Sequence, residues 1–511
     1  MTAVMGARLL PAAPISNLDA YVSAGGGRGL DAARRLGPAA ITEHLLAAGL
    51  RGRGGAGFPT GRKWAAVQAY ESSVVPATVV VNAAEGEPGS FKDRSLLRQN
   101  PYGVLEGALI AAFAVEADRV VVALKQSFAE ETRRVRGVID ELRGAGWVDG
   151  VEVIAFEGPH EYLYGEETAL LEAIDGRPPF PRVAPPYRHG VEEVEEEDDT
   201  GKIVEFVMAS PGGESVAPPT LVDNVETIAN VPLILAEGPA WFRAVGTDES
   251  PGTIVCTVTG ATRRHGVGEV PMGTPLRRAI EEIGGGARPG RRIVAAMSGV
   301  ANPIVPEELL DTPLSYEAME AIGSGLGAAG FIVFDDTTDF TAVAHAVSKF
   351  LAVESCGQCT PCKQDGLAVV KLLDRIRNSD ASDGDLAAVD DRLRTITDGA
   401  RCFLAYQQQR VIASIVERFG DDFRAHVSDD APPVEPVLIA AISDLRDGVA
   451  ALDERQRSKQ PDWTFDPVNS GKAPVERLGG AAHPYGPPLI PPLVVEESTD
   501  TPPHPPVPGA R

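Results

Sequence analysis

Ala77-Thr-Val-Val-Val-Asn82, running straight into Ala83-Ala-Glu-Gly-Glu-Pro-Gly89, is the stretch on which the fold turns. A short apolar, β-branched run closed by glycine and proline reads as a buried strand that ends in a loop. Outward from it the chain alternates. Helical periodicity occupies Ala39 to Leu50, and Arg51 to Gly61 is a glycine-rich loop. Helices around Tyr102 to Val115 and Ala129 to Arg143 precede strands at Arg119 to Leu124 and Val151 to Phe156. Strands alternating with helices predict an α/β fold with a parallel sheet under covering helices. Ligands of such sheets sit beyond the carboxyl ends of the strands, which places Asn82 to Asp93 and Gly158 to Glu167 at the candidate site.

Further along the texture changes. Glu192 to Asp199 carries seven acidic side chains in eight positions and reads as an exposed, solvated loop. From Thr253 short strands, a helix at Thr274 to Ile283 and a strand at Arg292 to Ser298 suggest a small α/β module. Phe340 to Val427 is largely helical, and Pro436 to Gln460 has the pattern of one more amphipathic helix. Pro461 to Arg511, with 13 prolines in 51 residues, reads as an extended tail.

The 511 residues exceed one ordinary core, so two to four domains are expected. A formal net charge of −25 excludes nucleic acid as the main partner, because a phosphate backbone is gripped by clustered Lys and Arg. Met1 to Asn17 makes a poor signal peptide, and the longest apolar candidate, Val104 to Leu124, is broken by Glu106, Glu116, Asp118 and Arg119. These features predict a cytoplasmic protein with no direct membrane insertion.

Cys356, Cys359 and Cys362 form C-x2-C-x2-C, and Cys402 follows far downstream. Three thiolates at that spacing can converge on three irons of a cubane, with a remote cysteine closing it as the fourth ligand. Structural zinc also takes four thiolates, but its knuckles usually come as C-x2-C pairs, and a triplet is unusual. The fifth cysteine, Cys256, sits in an apolar run and reads as a buried small hydrophobe.

Arg51-Gly-Arg-Gly-Gly-Ala-Gly-Phe-Pro-Thr-Gly-Arg-Lys-Trp64 combines clustered glycines with basic residues at both ends. Glycine lets successive backbone N–H groups turn toward an anion, while Arg53, Arg62 or Lys63 supplies charge. The loop fits neither the Walker pattern nor the dinucleotide fingerprint, and by itself it is equally a simple turn. Glu85, Glu87, Glu166 and Glu167 form two carboxylate clusters whose bland reading is favourable placement at helix starts. A flavin site would use them as acceptors for ribityl hydroxyls and a nicotinamide amide.

Arg51 to Trp64, Asn82 to Arg94, Gly165 to Leu171, Val222 to Thr227 and the cysteine set together resemble, in order, the family of NADH-binding 51 kDa flavoprotein subunits of respiratory complex I. That family includes the diaphorase subunits of NAD-reducing hydrogenases and NAD-dependent formate dehydrogenases. The resemblance implies an N-terminal lead (1–32), a Rossmann-like FMN and NAD(H) domain (33–245), a ubiquitin-like α+β domain (246–335), a helical bundle carrying a 4Fe-4S cluster (336–432) and a Pro-rich tail (433–511). It implies FMN cradled by Gly52, Arg53, Gly54 and Lys63, with Asn82, Glu85, Tyr162, Gly165, Glu166, Val222, Asp223, Asn224 and Thr227 around it. Phe58 would stack in the NAD(H) site, with Glu87 and Glu167 near the dinucleotide and Tyr187 against the adenine. The chain departs from the family pattern at Ala84, where Asp is common, at Asp223, where Asn is common, and at Ala184 and Ala66, which replace a basic and an aromatic residue. The implied activity is hydride exchange between NAD(H) and FMN and single-electron exchange with the cluster. The implied partners are a thioredoxin-like 2Fe-2S subunit and further iron–sulfur or catalytic subunits, because the one cysteine left over, Cys256, is too few for a second cluster.

Overall fold

A computed structural model describes residues 8–70, 76–182, 193–198, 201–206, 219–428 and 430–479. The quoted strand is β1 (Ala77–Ala83), flanked by β2 (Ala117–Lys125), which in turn pairs with β3 (Glu152–Gly158). An antiparallel pair, β4 (Glu193–Asp198) and β5 (Gly201–Phe206), precedes β6 (Thr220–Asn224), which joins the free side of β1. The order β3-β2-β1-β6 is parallel throughout, with Val80 facing Val121 on one neighbour and Val222 on the other. Strand order therefore reverses between β1 and β6, and the crevice at a parallel sheet's carboxyl edge opens at such a reversal.

Both faces of the sheet are covered, as its near-continuous valines require. Helices Arg28–Leu36, Pro101–Ala114 and Val225–Glu237 pack on one side, and Tyr164, Leu170, Leu171 and Ile174 on the other. Helix Pro101–Ala114 is buried almost throughout and apolar all round, and the Asn100 side chain accepts from Gly103 N at 3.1 Å at its start. The lead is part of this body: the carboxylate of Glu106, which looked like an interruption in an apolar run, accepts from Tyr21 Oη at 2.6 Å, Gly27 N at 2.7 Å and Leu30 N at 2.9 Å.

The second sheet runs β10-β9-β11-β7-β8, from β7 (Thr253–Gly260), β8 (Gly266–Pro271), β9 (Ile293–Ser298), β10 (Val305–Pro306) and β11 (Gly330–Asp335). β7 and β11 are parallel and the other pairs antiparallel, with helix Leu276–Gly284 packed against β7 and β8. Five helices follow: Phe340–Glu354, Thr360–Arg377, Asp383–Thr395, Leu404–Arg418 and Gly420–Val427. The whole is a mixed α/β molecule with a helical C-terminal region.

Two expectations need correction. The acidic run is not an open loop where it is described: Glu193–Asp198 is a strand paired with Gly201–Phe206, because ladder bonds use backbone groups whatever the side-chain charge. Glu192 and Asp199 lie outside the described residues. The region from 433 to 479 is neither one amphipathic helix over Pro436 to Gln460 nor a free tail, its helical parts being the single turn Glu454–Arg457 and the short helix Pro474–Leu478. β12 (Ile442–Arg446) and β13 (Val449–Leu452) form a hairpin whose turn places Asp447 at φ 50° and Gly448 at φ 78°, the two positive angles of a tight two-residue turn. The hairpin is tied to helix Lys92–Gln99 by Arg98 on Asp444 (2.8 Å) and by the Arg94 guanidinium on Ser443 O (2.9 Å). Beyond it the chain straps over the cysteine loop. Lys459 pairs with Glu354 at 2.7 Å, Trp463 Nε1 donates to Val353 O at 3.0 Å, and Val475 N donates to Cys356 O at 3.0 Å. Burial of Trp463 and Lys459 outweighs a proline content that looked too high for a core. Residues 480–511 lie outside the described part.

Candidate functional site

A cavity of about 690 Å³ opens where β1 and β6 diverge. Its floor is the carboxyl ends of both strands: Asn82 and Ala84 from the first, Val222, Asp223 and Asn224 from the second. One wall is the glycine loop, contributing Gly52, Gly54 and Phe58, with Lys63 and Thr227 beside it. Glu85, Glu87, Tyr162, Gly165, Glu166 and Glu167 make another. The last wall, Ala301 and Asn302 from the second module and Cys402, Phe403 and Gln407 from the helical one, was not foreseen.

The glycine loop owes its shape to a close approach. Gly57 has φ 63°, and a Cβ there would lie 2.5 Å from the Tyr316 ring, whose hydroxyl donates to Gly52 O at 2.7 Å. Gly57→Ala should therefore push the loop off the second module and weaken flavin retention, measured as flavin per chain after gel filtration. Full retention would show that the loop's path does not matter.

Several predicted residues turn out to have structural work first. Glu85 accepts from Ser90 Oγ at 2.6 Å and from the backbone N–H groups of Lys92, Asp93 and Arg94, so it caps helix Lys92–Gln99. Glu166 accepts from Thr168 N at 3.0 Å and Ala169 N at 2.9 Å as the N-cap of helix Glu167–Ile174. Asn82 Nδ2 donates to Gly165 O at 2.9 Å, fixing the loop after β3 to the end of β1. Asn224 Oδ1 accepts from Glu226 N at 3.0 Å at the start of helix Val225–Glu237. Lys63 reaches the cavity but is paired with Glu167 and lies 4.0 Å from Asp223. Arg53 does not line the cavity: its guanidinium is buried and donates to Pro251 O at 3.0 Å, while its backbone N–H reaches Thr227 Oγ1 at 2.8 Å. Direct phosphate contact from that side chain is thus a misreading, because the loop folds it away beneath the site. Tyr187 and Ala184 lie outside the described residues. Asp223, a departure from the family pattern, accepts from Trp64 Nε1 at 2.7 Å. Burial pushes its carboxyl up to about 6, while Lys63 and Trp64 pull it down.

Glu87 is the carboxylate best placed to meet a ligand. It accepts from Tyr162 Oη at 2.5 Å and Val300 N at 2.6 Å, and Gln407 Nε2 donates to the same tyrosine oxygen at 3.0 Å. Three modules thus meet through one hydrogen-bonded chain. Burial raises the Glu87 carboxyl from its usual 4.5 to about 7, against the pull of Tyr162 and the N–H groups of Val300 and Ala301. Between those two values the native form binds more protons than the unfolded chain. The contribution therefore favours the fold at low pH and is lost as pH rises through about 7. Glu87→Gln should flatten that part of the stability–pH curve in thermal melts of flavin-free protein; an unaltered slope would refute the assignment.

Cys356, Cys362, Cys359 and Cys402 gather in one apolar cluster, the first two buried and the others partly so. Ser355 Oγ lies 3.3 Å from Cys362 Sγ, and Arg401 N donates to Cys359 Sγ at 3.3 Å. Lys363, immediately after Cys362, donates to Ala352 O, Val353 O and Ser355 O at 2.9, 3.3 and 2.8 Å, placing a cation at a helix C-terminus beside the sulfurs. Burial pushes the Cys356 thiol up to about 12 and raises Cys362 and Cys402 as well, so thiolates form here only with a compensating cation. Among the described residues no group of three His, Cys, Asp or Glu side chains is close enough to hold a metal ion. The four thiols share one apolar cluster, and the triplet spacing with a remote fourth cysteine is the pattern of a cubane more than of paired zinc knuckles.

The chain matches two family models, the Nuo51 FMN-binding domain over residues 45–233 and the NADH-ubiquinone oxidoreductase-F iron–sulfur binding region over residues 342–426. It is 34% identical over 427 residues to the second F-type chain of the NADH-quinone oxidoreductase of Rhizobium meliloti, covering 81% of this chain and 96% of that one. The chain belongs to the family of NADH-quinone oxidoreductase F-type subunits. As such it is an oxidoreductase component that binds FMN, NAD(H) and a 4Fe-4S cluster. The corresponding chain of the Streptomyces coelicolor NADH-quinone oxidoreductase is 34% identical over 436 residues, covering 84% of this chain and 92% of that one. Among solved structures, an NAD+-reducing [NiFe]-hydrogenase in the H2-reduced state superposes with a TM-score of 0.66 at 30% identity, covering 76% of this chain. This chain spans 62% of that hydrogenase chain's length. The family's two named parts map onto the crevice of the parallel sheet and the cysteine-bearing helices, and the cavity joins them.

Proposed function

We propose that this member of the family is the diaphorase subunit of a soluble, cytoplasmic complex of the formate dehydrogenase or hydrogenase type. The observation that carries the proposal is one cavity lined both by the glycine loop and by Cys402. A flavin bound at the β1–β6 crevice would lie against the cluster with no other redox group needed between them. When bound, FMN exchanges a hydride with NAD(H) and passes electrons singly to the cluster, and that chemistry belongs to the cofactors. The protein's share is position and field. Gly54 brings the loop backbone up to the ligand, with Gly52 N held by Phe58 O at 2.8 Å, Lys63 offers a cation that must be shared with Glu167, and Asn82 and Asn224 orient the ring edge. Phe58, more than half exposed on the rim, offers its face to the dinucleotide, and Glu87 and Tyr162 line the space the nicotinamide enters. No side chain is assigned a proton at the hydride step. Electrons leave through a thioredoxin-like 2Fe-2S protein or another iron–sulfur partner.

The hydrogenase-type setting is supported by the likeness to the NAD+-reducing [NiFe]-hydrogenase, and no helix among the described residues is long and apolar enough to cross a membrane. The names of the sequence relatives favour a second reading, a quinone-reducing complex. Purified protein should reduce ferricyanide with NADH, and affinity capture of the tagged chain from its native cell should bring down a molybdopterin or nickel–iron subunit. Capture of membrane subunits would select the second reading, and lack of NADH-dependent reduction by flavin-loaded protein would overturn the diaphorase assignment.

A further inference from the structure

We infer that Phe403 is a dinucleotide-binding residue, an aromatic wall of the NAD(H) site supplied by the cluster module. The inference rests on the reading of the cavity given above and extends it to the rim. Of the large hydrophobic side chains left exposed among the described residues, Phe58 and Phe403 line this cavity, at 55% and 51% exposure. Phenyl rings left in water on the lining of a cavity are surface held ready for an apolar or planar ligand. Phe403 is also held in place. Its ring stacks on Tyr406, with centroids 5.8 Å apart and planes 20° from parallel. One turn further along, Gln407 Nε2 ties the same helix to Tyr162 Oη at 3.0 Å, and through it to Glu87. The wall and the carboxylate are thus registered to each other by a helix that begins directly after Phe403.

The chemistry of the ligand follows from the ring. A fixed phenyl face recognises a flat heteroaromatic ring, and in a dinucleotide that means an adenine or a nicotinamide. The glycine-loop side offers Phe58 but only Ala66 where the resemblance leads one to expect a second ring. Phe403, contributed by the helical module, adds aromatic area to the same cavity that Phe58 lines from the glycine loop. Stacking on an aromatic side chain contributes on the order of 1–3 kcal/mol per base, so its loss should weaken binding by roughly tenfold or more.

The test compares full-length, flavin- and iron-loaded wild type with Phe403→Ala, Phe403→Leu and Phe403→Tyr. NADH affinity is taken from equilibrium binding, and KM and kcat from NADH–ferricyanide turnover. Phe403→Ala and Phe403→Leu should raise Kd and KM for NADH about tenfold while kcat at saturation and the flavin and iron content stay at wild-type levels. Phe403→Tyr should bind as wild type does. The leucine variant keeps apolar bulk beside Cys402, so a loss of iron confined to the alanine variant leaves the result readable. Wild-type affinity in Phe403→Leu with full cofactor content overturns the inference alone. A wild-type protein that binds no NADH overturns the diaphorase reading, and the inference falls with it.

Discussion

Lys92→Met should be the most damaging single substitution outside the cysteines, costing about 3–5 kcal/mol and emptying the flavin site. The Lys92 ammonium is 1% exposed and lies 2.7 Å from Asp93 Oδ1, 3.0 Å from Glu226 Oε2 and 3.1 Å from Asn224 Oδ1. Burial alone would lower its pKa, but Asp93, Glu226 and Glu85 outweigh that and raise it above the ordinary lysine value. Methionine fills similar volume and leaves those carboxylates buried without their cation, which is costlier than having no charges at all. The damage reaches the site because the same atoms position it. Asn224 Nδ2 donates to Asp93 Oδ2 at 2.7 Å, and Glu226 accepts from Val255 N at 2.8 Å, joining the crevice to the second sheet. Urea titration should show the loss in midpoint, and gel-filtered protein should carry little flavin. Adding Glu226→Gln to Lys92→Met should recover part of the stability, since one uncompensated charge is removed. If Lys92→Met melts within about 1 kcal/mol of wild type, the group is not the electrostatic centre claimed for it.

That network also shows where sequence reasoning stops. The strand Ala77–Ala83, the loop after it and the cysteine spacing were legible because each is a local pattern: a β-branched run, a glycine–proline boundary, an i, i+3, i+6 triplet of sulfurs. Nothing local marks Lys92, Asp93 and Glu226 as a buried ion cluster, because only the packing of two sheets takes them out of water. Glu85 and Glu166 fit a ligand acceptor and a helix start equally well, and the sequence leaves both open. Which one applies depends on the N–H groups that arrive from the next helix. Arg53 misled for the reverse reason, since charge in a glycine loop suggests phosphate unless the loop turns it inward. The hairpin at 442–452 did carry its own signal: Asp447-Gly448 between short apolar runs marks a two-residue turn, which prevails over the helical periodicity around it. Phe403 and Gln407 were hidden by distance along the chain. An aromatic directly after the last cluster cysteine was a usable hint, but its place on the cavity needs the fold.

Cys402→Ala should separate the two halves of the electron path. Cys402 is the remote fourth sulfur, and it alone of the four also lines the cavity. A cubane deprived of one thiolate either loses an iron or is lost, so iron and sulfide per chain should fall and the brown colour fade. The parallel sheet and its crevice draw their core from other residues, so flavin should remain bound and NADH–ferricyanide turnover, taken from the flavin, should persist. Transfer onward to an iron–sulfur partner should drop by at least roughly a hundredfold, the scale on which even outer-shell partners of a metal matter. Flavin loss together with iron would mean that the cysteine loop holds the crevice shut, and the strap contacts of Val475 and Trp463 to Cys356 and Val353 give that loop its stiffness. The sharper challenge is the opposite result. If Cys402→Ala kept its full iron content and passed electrons to its partner at the native rate, the fourth ligand would have to be some other group, and the placement of the cluster against the flavin cavity would be wrong.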